Sequence, residues 1–383
     1  MHRWLTLLVP LLLAACAGPM RVEHSETLFD DARFMPASER ISAADVFATN
    51  DAMKHYLHVE IDPQLRLKGR QQGLINALYS KGQLKLDYDP GMTRNAAQAF
   101  EARSGNCLSL VIMTAALAKE LDLSVHFQNV IVDETWSRTG DVYFSIGHVN
   151  LTLGKKDTDV ISRRRENVET TIDFLPPADI RGLRMREISE KTIVAMYMNN
   201  RAVESLADAK LDDAYWYARE AITQDPYFLS AFNTLGAVYE RHADLEQAER
   251  TFRYVLLREP ANTRSLSNLV AVLHGLGRRA EADVIAKKLA QIEPNPPFSY
   301  FDRGMVAMQN GEFKVARDLF AKEVDRAAYY HEFQFWLAVA SARLGEFDQA
   351  RKHLAVAVEV STTRKDHDLY AAKLDWLRSY RIQ

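Results

Sequence analysis

A thiol, an imidazole and a carboxylate stand at Cys107, His148 and Asp173 in local settings that suit acyl transfer. Cys107 follows Arg103-Ser104-Gly105-Asn106 and opens an apolar helical pattern, which places it on the first turn of a helix. There, unpaired N–H groups and the helix dipole favour a negative sulfur. The same N–H groups would hold the oxyanion of a tetrahedral intermediate. His148 interrupts the strand-like run Ile146-Gly147-His148-Val149-Asn150-Leu151, and Asp173 lies inside Thr171-Ile172-Asp173-Phe174. Both are costly residues for a half-buried strand unless they are paired. An imidazole between thiol and carboxylate would take the thiol proton and later protonate the leaving group, with the carboxylate fixing its tautomer. Taken alone, Cys107 has a plainer alternative as a small buried hydrophobe.

The elements that must position these groups are legible in outline. Thr93 to Ala102 reads as a helix broken at Ser104-Gly105, and Cys107 to Leu121 as the next, with Leu110, Ala118 and Leu121 facing inward. Strands are expected at Ser124 to Val132, Val142 to Leu153 and Glu169 to Phe174. Helix followed by antiparallel sheet predicts an α+β core over residues 41–186.

Arg103-x-Gly105-x-Cys107 with its apolar helix, then a strand histidine and a strand aspartate, resembles the transglutaminase-like superfamily of papain-related fold. The resemblance covers Tyr88 to Phe174. It implies Cys107 as nucleophile, His148 as general base and acid, and Asp173 as the group that orients the ring. The oxyanion partner is unassigned, with Tyr88 and Gln128 as candidates. His126 follows Cys107 by too few residues to be the family histidine and is read as structural. No metal or cofactor is expected, since the close pair His55 and His58 has no evident further ligands and no EF-hand loop is found. The loops Asp133 to Asp141, around Trp136, and Gly154 to Asn167 border the expected cleft.

The C-terminal half has a different texture. Pro226, Pro260 and Pro294 recur every 34 residues, and Ala214, Ala248, Ala282, Ala316 and Ala350 keep the same phase. Small residues stand five places before each alanine, at Ala209, Ala243, Gly277, Gly311 and Gly345. This pattern resembles tetratricopeptide repeats, whose paired helices need a small residue at the turn and an alanine at close contact. About five repeats over residues 192–362 are expected to stack into one solenoid. A capping helix should follow within 363–383, with Leu369, Lys373, Trp376 and Tyr380 at helical spacing and Leu377 close to the same face.

At the other end, His2 and Arg3 precede the apolar run Leu5 to Leu13, and Leu13-Ala14-Ala15-Cys16 follows. This resembles the lipobox of bacterial lipoproteins, implying a signal over 1–15, lipidation at Cys16 and a linker over 16–40. Ala17 in place of an aspartate implies an outer-membrane anchor facing the periplasm. A net charge of −3 gives no general attraction to nucleic acid, and Arg163-Arg164-Arg165 is offset by Glu166 and Glu169.

The expected whole is an α+β transglutaminase-like cysteine-enzyme domain followed by an all-α tetratricopeptide-repeat solenoid. Its expected activity is hydrolysis or transfer of an amide or peptide acyl group through a thioester. The repeats would bind a protein or peptide partner. The alternative is a non-catalytic repeat scaffold that assembles an envelope complex.

Overall fold

A computed structural model of the chain describes residues 25–79, 84, 86–89, 91–139, 142–155, 169–174, 184–361 and 364–379. Cys16 and the apolar run before it lie outside the described residues. Three short helices lead into the domain: α1 (Asp51–His55), α2 (Asp62–Lys68) and α3 (Arg70–Tyr79). Two residues of β1 (Asp87–Tyr88) pair in parallel with β2 (Ser104–Gly105), and α4 (Ala96–Ala102) lies between them in sequence. Asn95 and Gln98 close α4 with a reciprocal capping box, which is why this helix starts three residues later than Thr93.

Helix α5 (Cys107–Glu120) is apolar on every side, and every residue from Cys107 to Ala118 is buried. Such a helix can only sit at the centre of a domain. It packs on a four-stranded sheet made of β3 (Leu123–Thr139), β4 (Val142–Lys155), β5 (Thr170–Ile172) and β6 (Arg184–Ile188). The strand order is β5-β4-β3-β6 and every pairing is antiparallel. Phe127, Val149, Leu151, Leu153 and Ile172 join the core with α5.

Two details differ from the expectation. β3 continues past a bulge between Val130 and Thr135 as far as Thr139, so Trp136 is paired with Ser145 on a strand and does not lie on a loop. β6 forms the far edge of the sheet. Its run Arg184–Ile188 is mostly exposed and charged, and carries no apolar alternation that would announce a strand.

The repeats follow as helix pairs: α6 (Glu190–Ala207) with α7 (Leu211–Gln224), α8 (Leu229–Arg241) with α9 (Leu245–Arg258), and α10 (Thr263–Gly275) with α11 (Arg279–Ile292). Two more pairs are α12 (Ser299–Gln309) with α13 (Phe313–Arg326), and α14 (His331–Arg343) with α15 (Phe347–Glu359). The five phased alanines are all fully buried. The small residues before them share one backbone conformation, with φ of 59° at Ala209, 65° at Ala243, 75° at Gly277, 78° at Gly311 and 77° at Gly345. Left-handed backbone lets each turn reverse within three residues, and glycine adopts it without steric cost.

The apolar core is not continuous along the stack. Only Ala282 is fully buried on α11, and a separate apolar cluster begins with Phe298, Phe301, Phe320 and Phe333. Where the second repeat carries Phe232 and Leu235, the fourth carries Tyr300 and Arg303. Arg303 is exposed and Tyr300 is only half-buried. Tyr300 lies under Arg303, Lys322 and Arg326, while the buried Glu323 carboxylate accepts the Tyr300 N–H at 2.9 Å.

The last helix, α16 (Arg364–Ser379), turns inward a face rotated from the expected one, with Leu377 common to both. It buries Tyr370, Leu374 and Leu377 against the fifth repeat, with the Tyr370 hydroxyl 2.8 Å from His331 Nδ1. Leu369 and Trp376 point outward, Trp376 being 59% exposed. Tyr380 lies outside the described residues.

The segment expected to be a linker is packed as well. Phe34 stacks on Tyr215 of α7 with ring centroids 3.9 Å apart. Tyr239 donates to the Leu28 carbonyl at 2.8 Å, Trp216 Nε1 to the Met35 carbonyl at 2.7 Å, and Ser38 bonds Asp213 through both its N–H and its hydroxyl. Residues 28–39 therefore strap the first two repeats, and one apolar core runs from Leu28 through α5 to Ala282.

Candidate active site

Local sequence sets the place of the Cys107 thiol. The Asn106 side chain accepts the Ser109 N–H at 2.9 Å and so caps α5, which puts Cys107 on the first helical residue. Gly105 is required here. A Cβ on it would come within 2.7 Å of the Ser109 Cβ, inside the capping turn itself. The cap satisfies Ser109 and leaves the N–H groups of Cys107 and Leu108 among those without an intrahelical partner. Cys107 is a free thiol, 6% exposed, with its sulfur 4.0 Å from the Gly147 carbonyl oxygen.

The imidazole and carboxylate meet as the sequence implied. His148 Nε2 lies 2.8 Å from Asp173 Oδ1 and 2.9 Å from Oδ2, and both side chains are about nineteen-twentieths buried. With Nε2 committed to the carboxylate, Nδ1 is the nitrogen left for the thiol. Burial alone would lower the His148 pKa. The hydrogen bonds to Asp173 and Cys107, together with their negative charge, overcome that and raise it to about 9. The ring is therefore charged at neutral pH beside the helix-start sulfur.

Groups outside the expected set hold Asp173. Asn150, fully buried on β4, donates from Nδ2 to Asp173 Oδ2 at 2.9 Å. Tyr79, at the end of α3, donates its hydroxyl to the Asp173 backbone carbonyl at 2.9 Å. Gln71 donates to the Leu153 carbonyl at 2.9 Å and so clips α3 to the sheet. The signal for Asn150 was present in sequence, as a second polar residue two places after His148 on an apolar strand. Tyr79 gave none, because its partner lies 94 residues away.

The remaining candidates separate. The Tyr88 backbone pairs with Gly105, which brings β1 beside the turn that carries Cys107. Gln128 stands opposite Asn150, and its Oε1 is buried without a partner among the described residues. His126 is exposed, with Nδ1 3.3 Å from Glu187, away from the thiol. His58 faces Glu120 at 3.9 Å. Among the described residues no group of three or more His, Cys, Asp or Glu is placed to hold a metal ion.

A family profile described as tetratricopeptide repeat matches residues 301–364. The C-terminal region therefore carries tetratricopeptide repeats. No curated protein matches the chain. Among solved structures, the chain is similar to YrrB, a repeat protein described as having an unusual peptide-binding site, at 20% identity over 47% of this chain and 92% of that one, with a TM-score of 0.25. It is similar to PilF of Pseudomonas aeruginosa at 18% identity over 50% and 86% of the two chains, with a TM-score of 0.31. A thermophilic repeat protein of Thermus thermophilus is similar at 18% identity over 48% and 99%, with a TM-score of 0.31.

Proposed function

We propose that this protein is a repeat-bearing cysteine acyl hydrolase, with a transglutaminase-like Cys107-His148-Asp173 site and repeats that bind a protein or peptide. The observation that carries this reading is the buried His148–Asp173 pair, closed at 2.8 Å, next to a thiol on the first turn of α5. In the first step the Cys107 thiolate attacks an amide carbonyl and forms the C–S bond. The oxyanion is held by the first N–H groups of α5. Collapse breaks the C–N bond as the His148 imidazolium protonates the departing amine. The neutral ring then takes a proton from water, which attacks the thioester. Collapse of the second tetrahedral intermediate breaks the C–S bond, releases the acid and returns the Cys107 thiolate beside the His148 imidazolium.

Alkylation tests the nucleophile. Cys107 should react with iodoacetamide at neutral pH about tenfold or more faster than a free thiol of pKa near 8.5. His148→Ala should abolish the excess. A wild-type rate no faster than the free thiol removes the enzymatic reading. A second reading, a scaffold without chemistry, is favoured by the family match, which falls on the repeats alone. It requires that Cys107→Ala retain full function in cells lacking the protein.

For the cell envelope we propose a lipid anchor at Cys16, holding the chain to the outer membrane on its periplasmic side. Cys16→Ser should release the chain from the membrane fraction. Retention of that variant would argue against the anchor.

A further inference from the structure

We propose that the first repeat helix is part of the apparatus that sets the nucleophile, with Thr93 as the positioning residue that joins the two. This rests on the Cys107 reading above. Thr93 is 1% exposed and sits where α6 meets the capped start of α5. Its N–H donates to Glu204 Oε1 at 2.8 Å. Its hydroxyl accepts from Asn106 Nδ2 at 2.9 Å and from Asn200 Nδ2 at 3.3 Å. A hydroxyl has two lone pairs, and both are used.

The consequence falls on Asn106. A side-chain amide has a donor end and an acceptor end, and its orientation follows from what each end meets. Thr93 takes the donor end, so Oδ1 is turned to the helix. There it accepts both the Ser109 N–H at 2.9 Å and the Ser109 hydroxyl at 2.8 Å. Ser109 Oγ in turn accepts the Arg94 N–H at 2.8 Å, closing the loop back to Thr93's neighbour. Without the Thr93 hydroxyl the donor end of the amide loses its partner, and the flipped amide would aim an NH₂ group at the unpaired N–H groups of α5. Cys107 is the next residue.

The repeat side of the junction is held with equal care. Arg201 bonds Glu204 at 2.8 Å and Glu39 of the strap at 3.0 Å, while the Tyr217 hydroxyl donates to Glu39 at 2.8 Å. Glu204 is thus held by Arg201 of the first repeat, which Glu39 of the strap holds in turn. The nucleophile's helix cap is referenced to the repeat domain through one threonine.

The test is the rate of Cys107 alkylation by iodoacetamide in the full chain, read by mass spectrometry between about pH 5 and 10, a range that brackets an ordinary and a lowered thiol pKa. Thr93→Val, which keeps the shape and deletes the hydroxyl, should slow alkylation at pH 7 about five- to tenfold and move the profile to higher pH, as expected for loss of one helix cap. Thr93→Ser should restore the wild-type profile. Glu204→Gln, made on the repeat helix alone, should move the profile the same way by a smaller amount. It serves as the second variant if Thr93→Val fails to fold. Wild-type profiles for both Thr93→Val and Glu204→Gln overturn the proposal while leaving the nucleophile intact. A slow wild-type Cys107 would instead remove the reading beneath it.

Discussion

Asn150 and Asp173 are joined by a 2.9 Å hydrogen bond from an amide that is itself fully buried, and the bond goes to Oδ2, the carboxylate oxygen slightly farther from His148. One charge-assisted bond of this kind contributes about 1.5–3 kcal/mol. Asn150→Ala should therefore lower Cys107-dependent turnover or alkylation by roughly tenfold. Asn150→Asp should do more damage than Asn150→Ala, because a second carboxylate would face Asp173 in a buried site. Equal effects of the two substitutions would show that the amide only fills space.

The raised pKa of His148 sets a pH window. A group whose folded pKa of about 9 exceeds its ordinary 6.5 stabilises the fold fully below pH 6.5 and loses that contribution as pH rises through 9. The melting-temperature gap between the wild type and His148→Gln should be widest in mild acid and shrink above about pH 9. The imidazole resonances of His148 should titrate near 9, and Asp173→Asn should bring that midpoint down. A midpoint near 6.5 in the wild type would contradict the charged pair.

Gly105 and Gly147 flank the sulfur but should respond differently. A Cβ at Gly105 has to displace Ser109, whereas one at Gly147 meets nothing within 4 Å. Gly105→Ala should cost about 1–3 kcal/mol in urea unfolding and slow Cys107 alkylation, as overpacking does. Gly147→Ala should leave stability within about 0.5 kcal/mol of the wild type.

The five repeat turns offer a paired test of left-handed backbone. Gly311 has φ of 78° and open space around it, so Gly311→Ala adds no contact and only strain, about 1 kcal/mol. Ala243 already carries that strain at φ of 65°, and Ala243→Gly should gain up to about 1 kcal/mol. Denaturant midpoints moving in opposite directions would confirm that these positions are selected by conformation.

What the sequence alone determined is whatever repeats or completes itself within a few turns of chain. The phase of Ala214 through Ala350, the turn residues from Ala209 to Gly345, and the helix start at Cys107 are all local, and all reappear in the structure. The polar interruptions at His148 and Asp173 were visible for the same reason, as costly residues in apolar strands. Tertiary structure decided what depends on distant partners: Tyr79 on Asp173, Phe34 on Tyr215, and Thr93 between Asn106 and Glu204. It also decided that α16 buries Tyr370 in place of Trp376, and that a separate apolar cluster begins at Phe298. A helical stripe wide enough to be read from composition leaves its exact rotation to the neighbour it meets, and a periodic pattern reports that each repeat can stack without saying where one apolar cluster ends and the next begins.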